Sequence, residues 1–126
     1  MRILLDTPIY IWWLADDRRL PKEADAKIID KDNEIFVSAA SIWEISIKAA
    51  LGQIQVDPTE IVESIHACGF QELPITSRHA IETGKLPQHH RDPFDRLLVA
   101  QSRAEPMYLL THDQQLAIYG ETILTV

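Results

Sequence analysis

The sequence predicts an α/β fold in which a parallel β-sheet lies between layers of helices. Short apolar runs that end at a polar residue recur along the chain, as is typical of strands buried on both faces. They alternate with segments that have a helical spacing of apolar residues and a capping residue at the start. The 126 residues are enough to bury a core, and we expect a single domain over residues 1–126.

The composition narrows the classes of protein to consider. Cys68 is the only cysteine, so no intramolecular disulfide can form, and we expect a buried, inert thiol in a cytoplasmic protein. The N-terminal apolar run, Ile3-Leu4-Leu5, is too short for a signal peptide or a membrane span, and we expect no membrane association. The net charge of -7 argues against a general electrostatic attraction to nucleic acid. A nucleic-acid site would have to be local or depend on bound cations.

The first strand and helix are predicted at the N-terminus. Ile3-Leu4-Leu5 is continuously apolar and ends at Asp6, as expected for a buried strand. Thr7 can cap a helix whose first residue is Pro8, the position that tolerates proline best. We assign Trp12-Trp13 on this helix to the core or to a self-association surface rather than to base stacking.

Helices and strands alternate through the middle of the chain. Residues 21–32 have the apolar spacing of a helix, and residues 35–37 form a second buried strand. Ser38 is a good cap for a third helix over residues 39–51, which Gly52 stops. The next elements are a helix, a weaker strand and a short helix, at residues 58–67, 70–74 and 76–84.

The C-terminal third contains the clearest helix. Residues 86–91 are polar and without periodicity, which predicts a loop at the mouth of a site. A helix begins at Pro93 and ends near Ala104, before Pro106. The remaining elements are a strand, a helical turn and a last strand, at residues 108–110, 114–118 and 122–124.

Two acids follow directly after predicted strands. Because ligands bind beyond the carboxyl ends of parallel strands, we expect Asp6 and Asp113 to meet at one edge of the sheet. Asp6 could instead cap the next helix, but Thr7 offers an oxygen at the better position, so we favour the ligand interpretation. For Asp113, a helix cap and a ligand are equally compatible with the sequence.

Glu44 lies in the third helix among apolar neighbours. At helical spacing its face also carries Ala40, Ile47 and Leu51. A charge on such a face is costly unless it is paired or bound to a metal. The competing interpretation is an ion pair with Lys48, worth only a few tenths of a kcal/mol if exposed. We favour the site interpretation.

Asp92 and Asp95 lie where a loop becomes a helix. Asp92 before a proline is a good N-cap, and both acids complement the helix dipole. Asp95 shares its face with Leu98, Val99 and Ser102, so it should point inward. We therefore predict a cap at Asp92 and a candidate ligand at Asp95.

Several carboxylates without a nucleophile motif indicate a particular chemistry. Hard oxygen ligands select Mg²⁺ or Mn²⁺ rather than zinc. Such ions activate water and stabilise the charge that develops on a phosphodiester. His89, His90 and His112 lack the spacing of a zinc site, and we assign them as solvated loop residues.

With these residues identified, the chain resembles the PIN-domain ribonucleases, and among them the VapC-type toxins of toxin-antitoxin pairs. The pieces that carry the resemblance are Leu4-Leu5-Asp6-Thr7, Val37-Ser38-Ala39-Ala40-Ser41-Ile42-Trp43-Glu44-Ile45, His90-Arg91-Asp92-Pro93-Phe94-Asp95-Arg96-Leu97-Leu98 and Leu110-Thr111-His112-Asp113. The resemblance implies a three-layer α/β/α fold with a central parallel sheet. It also implies an endoribonuclease that cuts RNA with Mg²⁺ or Mn²⁺, forms a homodimer and is covered by a cognate antitoxin.

The resemblance also implies roles for individual residues. The acids that match the family's catalytic and metal-binding acids are Asp6, Glu44, Asp95 and Asp113. The residues in supporting positions are Thr7, Asp92 and Thr111. Pro8 stands where these toxins commonly carry histidine or asparagine, so no side-chain hydrogen bond is expected from that position.

Two other functions fit parts of the pattern. Phosphatases of the haloacid-dehalogenase type need an aspartate two residues after the first, and Pro8 occupies that place. A receiver-type phosphoacceptor is disfavoured because Asp6 lacks a neighbouring acid. The non-enzymatic alternative is a catalytically inactive PIN-like protein-binding module whose acids serve only as helix caps.

Overall fold

Five short parallel strands form the centre of the protein, which we describe from a computed structural model covering residues 1–126. The strands are β1 (Arg2–Leu5), β2 (Glu34–Ser38), β3 (Gln71–Leu73), β4 (Tyr108–Thr111) and β5 (Ile123–Thr125). They are hydrogen-bonded in the order β3-β2-β1-β4-β5, and every pair is parallel. The chain moves outward from β1 to β3 and then returns to the other side of β1. The switch point of the sheet therefore lies between β1 and β4.

Helices connect all the strands. They are α1 (Thr7–Ala15), α2 (Lys22–Ile29), α3 (Ala39–Ala50), α4 (Pro58–Ala67), α5 (Ser77–Lys85) and α6 (Pro93–Ala104), and a 3₁₀ helix (Gln114–Tyr119) precedes β5. The predicted helices are confirmed to within a few residues at their ends. None of them is long and apolar enough to cross a membrane.

The side chains of β1 divide the core into two halves. Ile3 and Leu5 are fully buried against a cluster that includes Tyr10 of α1 and residues of α2 and α4. Leu4 points to the opposite face and packs in a second cluster with Leu98 of α6. Successive residues of a strand face opposite ways, so β1 is buried on both sides. The predicted three-layer α/β/α arrangement is confirmed.

The start of α1 differs from the prediction that Thr7 is its cap. Asp6 has an extended backbone (φ -63°, ψ 150°), and its side chain accepts a hydrogen bond from the Thr7 backbone N–H at 2.9 Å. Asp6 is therefore the N-cap, and Thr7 is already in the helix. The Thr7 hydroxyl instead donates to the Ser41 hydroxyl at 2.8 Å.

The predicted burial of Cys68 is wrong. Ile61 and Ile65 of α4 are buried, and Cys68 would share their face if the helix continued. The helix ends at Ala67, and the chain turns through Gly69 with a φ of 77°. The thiol of Cys68 is therefore exposed.

Candidate active site

The structure brings all four predicted acids to the carboxyl edge of the sheet, beside its switch point. Asp6 follows β1 and Asp113 follows β4, while Glu44 and Asp95 lie in the first half of α3 and of α6. The charges of Asp6, Glu44 and Asp113 each raise the pKa of Asp95. The four side chains therefore lie close enough to repel one another. The meeting of Asp6 and Asp113 was predicted from their places after strands, whereas Glu44 and Asp95 were predicted as site residues from the apolar faces that they share and from the family resemblance.

Asp6 is held rigidly by the protein. It is 4% exposed, and its two oxygens accept hydrogen bonds from the Thr7 backbone N–H at 2.9 Å and from the Thr111 hydroxyl at 2.6 Å. Burial raises the pKa of Asp6 to about 6, although both hydrogen bonds act in the opposite direction. Asp6 thus caps α1 and also lies beside the other acids, so the cap interpretation is confirmed and the role of Asp6 as a ligand stays a prediction.

Glu44 is 8% exposed, and its carboxylate forms an ion pair with Lys48 Nζ at 2.8 Å. The alternative ion pair is therefore present, yet the charge of Glu44 also raises the pKa of Asp95. The expected apolar face is only partly buried, since Ile47 is 38% and Leu51 is 66% exposed. The later turns of α3 leave the core, so the helix period alone overestimates how much of this face is covered.

Asp95 is the least compensated of the four acids. Its side chain is 19% exposed, and its carboxylate accepts no hydrogen bond from the protein. Burial and then repulsion by Asp6, Asp92, Glu44 and Asp113 raise the pKa of Asp95 to about 8. A carboxylate that is desolvated among like charges is stabilised by a bound cation.

Asp92 and Asp113 both cap helices. Asp92 accepts hydrogen bonds from the backbone N–H groups of Phe94 at 2.9 Å and Asp95 at 3.4 Å, which confirms the predicted cap. Asp113 Oδ1 accepts from the Gln115 backbone N–H at 3.0 Å, while its Oδ2 lies 3.6 Å from His90 Nε2 and its charge raises the pKa of Asp95. Asp113 therefore combines the cap and the site position that the sequence left open.

The interpretation of His90 as a solvated loop residue is wrong. Its side chain is 17% exposed, and Nε2 lies 3.5 Å from Asp95 Oδ2 and 3.6 Å from Asp113 Oδ2. Nδ1 accepts a hydrogen bond from the Asp92 backbone N–H at 3.2 Å, which leaves the hydrogen on Nε2. In this tautomer the Nε2–H group faces the two carboxylates, whereas the opposite tautomer would make Nε2 a third ligand atom, since one atom each of His90, Asp95 and Asp113 lie within 4.8 Å of one another.

Two further polar side chains at the site carried no signal in the sequence. Ser41 is fully buried and accepts the hydrogen bond from the Thr7 hydroxyl, which ties the start of α1 to α3 one turn before Glu44. The Tyr119 hydroxyl accepts a hydrogen bond from the His90 backbone N–H at 2.9 Å. Ser41 and Tyr119 thus hold candidate site residues in place. The sequence could not predict these roles, because isolated small polar or aromatic residues have no characteristic spacing.

The donor set fits a divalent cation. The groups that converge are carboxylate oxygens, which are the ligands that hard divalent cations prefer. Asp6 and Asp95 both have raised pKa values, and the neighbouring ammonium group of Lys48 is already paired with Glu44. The site thus has more negative charge than the protein itself neutralises. Asp95, Asp113 and His90 have ligand atoms within 4.8 Å of one another, and Asp6 and Glu44, whose charges act on Asp95, are the further residues that could hold such an ion.

Comparison with known proteins identifies the family of this chain. The model of the PIN domain family matches residues 3–121. Ribonuclease VapC22 from Mycobacterium tuberculosis (strain ATCC 25618 / H37Rv) is 30% identical over 121 residues, which cover 90% of this chain and 88% of that protein.

Solved structures show the same fold at low sequence identity. The structure of VapBC2 from Rickettsia felis bound to a DNA fragment from its promoter contains a chain with a TM-score of 0.73 at 13% identity, and the match covers 100% of this chain and 98% of that one. A toxin-antitoxin complex from Klebsiella pneumoniae contains a chain with a TM-score of 0.67 at 19% identity, covering 98% and 96%. With the family model matched over nearly the whole sequence, the chain belongs to the PIN domain family.

Proposed function

We propose that this protein is a divalent-cation-dependent endoribonuclease that hydrolyses RNA phosphodiester bonds and is the toxin of a toxin-antitoxin pair. The observation that carries the proposal is the convergence of four carboxylates, one of which, Asp95, has no hydrogen-bond donor of its own. Helix capping does not account for Glu44 or Asp95, because neither side chain accepts a hydrogen bond from a backbone N–H group. The similarity to a protein named a ribonuclease supports RNA as the substrate.

In this proposal Asp6, Glu44, Asp95 and Asp113 are the metal-binding and catalytic acids. Bound Mg²⁺ or Mn²⁺ supplies an activated water and stabilises the charge that develops on the phosphodiester. The supporting residues position these acids: Thr111 orients Asp6, Thr7 links α1 to α3, and Asp92 fixes the first turn of α6.

The proposed partners are a cognate antitoxin and a second copy of the chain in a homodimer. The fold is shared with chains from toxin-antitoxin assemblies, which supports an antitoxin partner. A net charge of -7 and an acidic centre complement a basic antitoxin side chain.

Cleavage of RNA by the purified protein, free of antitoxin, tests the proposal. We expect cleavage with added Mg²⁺ or Mn²⁺ and none with a chelator. Asp6→Asn and Asp95→Asn should each lower the rate at least about 100-fold, since each removes a cation ligand. The matched control is Asp25→Asn, an exposed acid of α2, which should cut like the parent. If both site variants cut as fast as the parent, the proposed site is wrong.

The alternative is a catalytically inactive PIN-like binding module. The capping hydrogen bonds of Asp6, Asp92 and Asp113 favour it, because each explains an acid without a metal. Titration calorimetry separates the two functions. Binding of Mn²⁺ that is lost in Asp95→Asn supports the nuclease, whereas a parent protein that binds neither ion at millimolar concentration supports the binding module.

A further inference from the structure

The loop between α5 and α6 brings His90 to the acids, and we call its residues 86–92 the His90 loop. Residues 87–91 lie outside any helix or strand and form no backbone–backbone hydrogen bonds. The backbone polar groups of such a segment need side chains or water as partners. The position of His90 therefore depends on the side chains that hold this loop.

Arg96 of α6 makes most of these contacts. Its Nη1 donates to the carbonyl oxygen of Pro87 at 3.0 Å and lies 3.5 Å from the carbonyl oxygen of His90. Its Nη2 donates to the carbonyl oxygen of Thr83, in the last turn of α5, at 2.8 Å. The guanidinium group is planar and its donors point in fixed directions. One side chain thus joins α6, the end of α5 and two points of the His90 loop.

Tyr119 completes this set of contacts. Its ring is 3% exposed, and its hydroxyl accepts from the His90 backbone N–H at 2.9 Å and donates to the carbonyl oxygen of Pro87 at 3.3 Å. The same hydroxyl lies 3.4 Å from Arg96 Nη1. A hydroxyl has one hydrogen and two lone pairs, and these three contacts use all of them. Arg96 and Tyr119 therefore hold the loop as one connected pair.

Neutralisation of the acids does not account for Arg96. It follows Asp95 directly in the sequence, yet its guanidinium forms no ion pair with any acid. Its hydrogen-bond partners are all carbonyl or hydroxyl oxygens. The dipole of α6 also favours negative rather than positive charge near the start of the helix. The contacts with the His90 loop are what explain an arginine at this position.

We propose that Arg96 is a positioning residue that, together with Tyr119, holds His90 Nε2 against Asp95 and Asp113 and so raises the affinity of the acids for a divalent cation. This inference rests on the proposed cation-dependent function and names a residue that sets cation affinity without touching the cation. Nε2 lies 3.5 Å from Asp95 Oδ2 and 3.6 Å from Asp113 Oδ2. A displacement of about 1 Å would take it out of reach of both carboxylates.

Both tautomers of His90 depend on this placement. Nε2 is a hydrogen-bond donor to the carboxylates in one tautomer and a ligand atom in the other. Groups that orient the ligands of a metal typically contribute about 10- to 100-fold in affinity. Loss of Arg96 should therefore weaken cation binding, whichever ring nitrogen carries the hydrogen.

The charge of Arg96 alone would have the opposite effect. By Coulomb's law, removing a positive charge beside a group of acids strengthens the binding of a cation. Removing a residue that places His90 weakens it. The sign of the change in affinity in Arg96→Ala therefore distinguishes a positioning role from a purely electrostatic one.

The first test is titration calorimetry with Mn²⁺. Arg96→Ala should bind about tenfold more weakly than the parent. Arg96→Lys keeps the charge but cannot reach both Pro87 and Thr83 with one ammonium group, so it should recover only part of the affinity. Tyr119→Phe should show a smaller loss than Arg96→Ala. The control is Arg91→Ala, which removes an equal charge from the same loop at an exposed side chain without an ion pair, and its affinity should not fall.

The second test asks whether Arg96 acts through His90. Arg96→Ala introduced into a His90→Ala background should leave the affinity for Mn²⁺ unchanged, because the group that Arg96 places is already absent. A general loss of structure would instead lower the affinity equally in both backgrounds. Hydrogen exchange in the metal-free protein gives a readout without a cation. Protection of the His90 backbone N–H should fall in Arg96→Ala, while that of Val99 in the middle of α6 should be retained.

The outcomes separate this inference from the proposed function. If Arg96→Ala, Arg96→Lys and Tyr119→Phe bind Mn²⁺ at least as tightly as the parent, while Asp95→Asn abolishes binding, the positioning role is wrong and the nuclease proposal stands. Equal losses in the two backgrounds also overturn the positioning role. A parent that binds Mn²⁺ but cuts no RNA, with weaker binding in Arg96→Ala, supports the positioning role and contradicts the nuclease. A parent that binds neither Mg²⁺ nor Mn²⁺ at millimolar concentration overturns both.

Discussion

Asp6 and Asp95 occupy the same acidic centre, yet the protein holds them in opposite ways. Asp6 is fixed by hydrogen bonds from its own helix and from Thr111 of β4, and the pKa of Asp6 is raised to about 6. Asp95 has no such donor, and burial with repulsion by neighbouring acids raises its pKa to about 8. The protein itself compensates the charge of Asp6 and leaves that of Asp95 uncompensated.

The largest effect that we expect from this difference is a loss of stability with rising pH in the metal-free protein. Each raised pKa means that the folded state binds the proton more tightly than the unfolded state. Stability therefore falls as pH rises, from about pH 4 to about pH 8 for Asp95 and only to about pH 6 for Asp6. We expect a total loss of several kcal/mol, most of it from Asp95, whose pKa is raised further than that of Asp6.

Urea denaturation at several pH values, with and without Mg²⁺, measures this loss. Asp95→Asn should remove the decrease between about pH 6 and pH 8. Asp6→Asn should only reduce it, because burial, the largest cause of the raised pKa of Asp95, remains while repulsion by Asp6 is lost. Saturating Mg²⁺ should flatten the curve of the parent. Metal-free stability that rises over this range would contradict the assignment of Asp95 as the uncompensated acid.

A second prediction concerns the donor that faces Asp95. His90→Ala removes the Nε2–H group that points at Asp95 and Asp113, and affinity for Mn²⁺ should fall about 10- to 100-fold. His90→Gln carries an amide N–H group and should retain most of the affinity. Calorimetry measures both, and His89→Ala, an exposed neighbour, is the control.

Electron spin echo spectroscopy of the Mn²⁺-loaded parent gives an independent result on His90. A hydrogen-bond donor next to the ligands should give no coupling from a directly bound nitrogen. Detection of such a coupling would mean that His90 is itself a ligand and that its hydrogen lies on the other ring nitrogen.

The smallest of the expected effects concerns Asp6, whose charge is compensated by hydrogen bonds within the protein. Thr111→Val removes the hydroxyl that donates to Asp6 at 2.6 Å. It should cost about 1 to 2 kcal/mol of stability and raise the pKa of Asp6 further, because that hydrogen bond opposes the effect of burial. Denaturation and carboxyl carbon NMR measure the two changes. Thr125→Val in the paired strand β5 is the control, and an unchanged pKa of Asp6 would refute the role of Thr111.

The sequence was sufficient to predict the layers and the main acids because their signals are local. Buried parallel strands are continuous apolar runs, and Ser38 and Asp92 are caps that act within three residues. Asp6 and Asp113 end adjacent strands, so topology alone brings them together.

The features that the sequence did not reveal depend on how distant elements meet. His90 reaches two acids only because the loop before α6 is held by Tyr119. The C-terminal turns of α3 are exposed because no other element packs against Leu51. The helical spacing of apolar residues cannot predict whether another element covers a face. The capping error at Thr7 is one residue in size, and its result is that the cap considered as the alternative for Asp6 is present, while Asp6 remains a ligand candidate.

The exposed thiol of Cys68 has a practical consequence. Cys68 precedes β3, so it lies near the amino-terminal edge of a parallel sheet, whereas the acids lie at the carboxyl edge. Since no other cysteine is present, a maleimide dye or a surface linker will attach at this position alone. The native sequence therefore provides a single labelling point from which RNA or antitoxin binding at the opposite edge can be followed without an engineered cysteine.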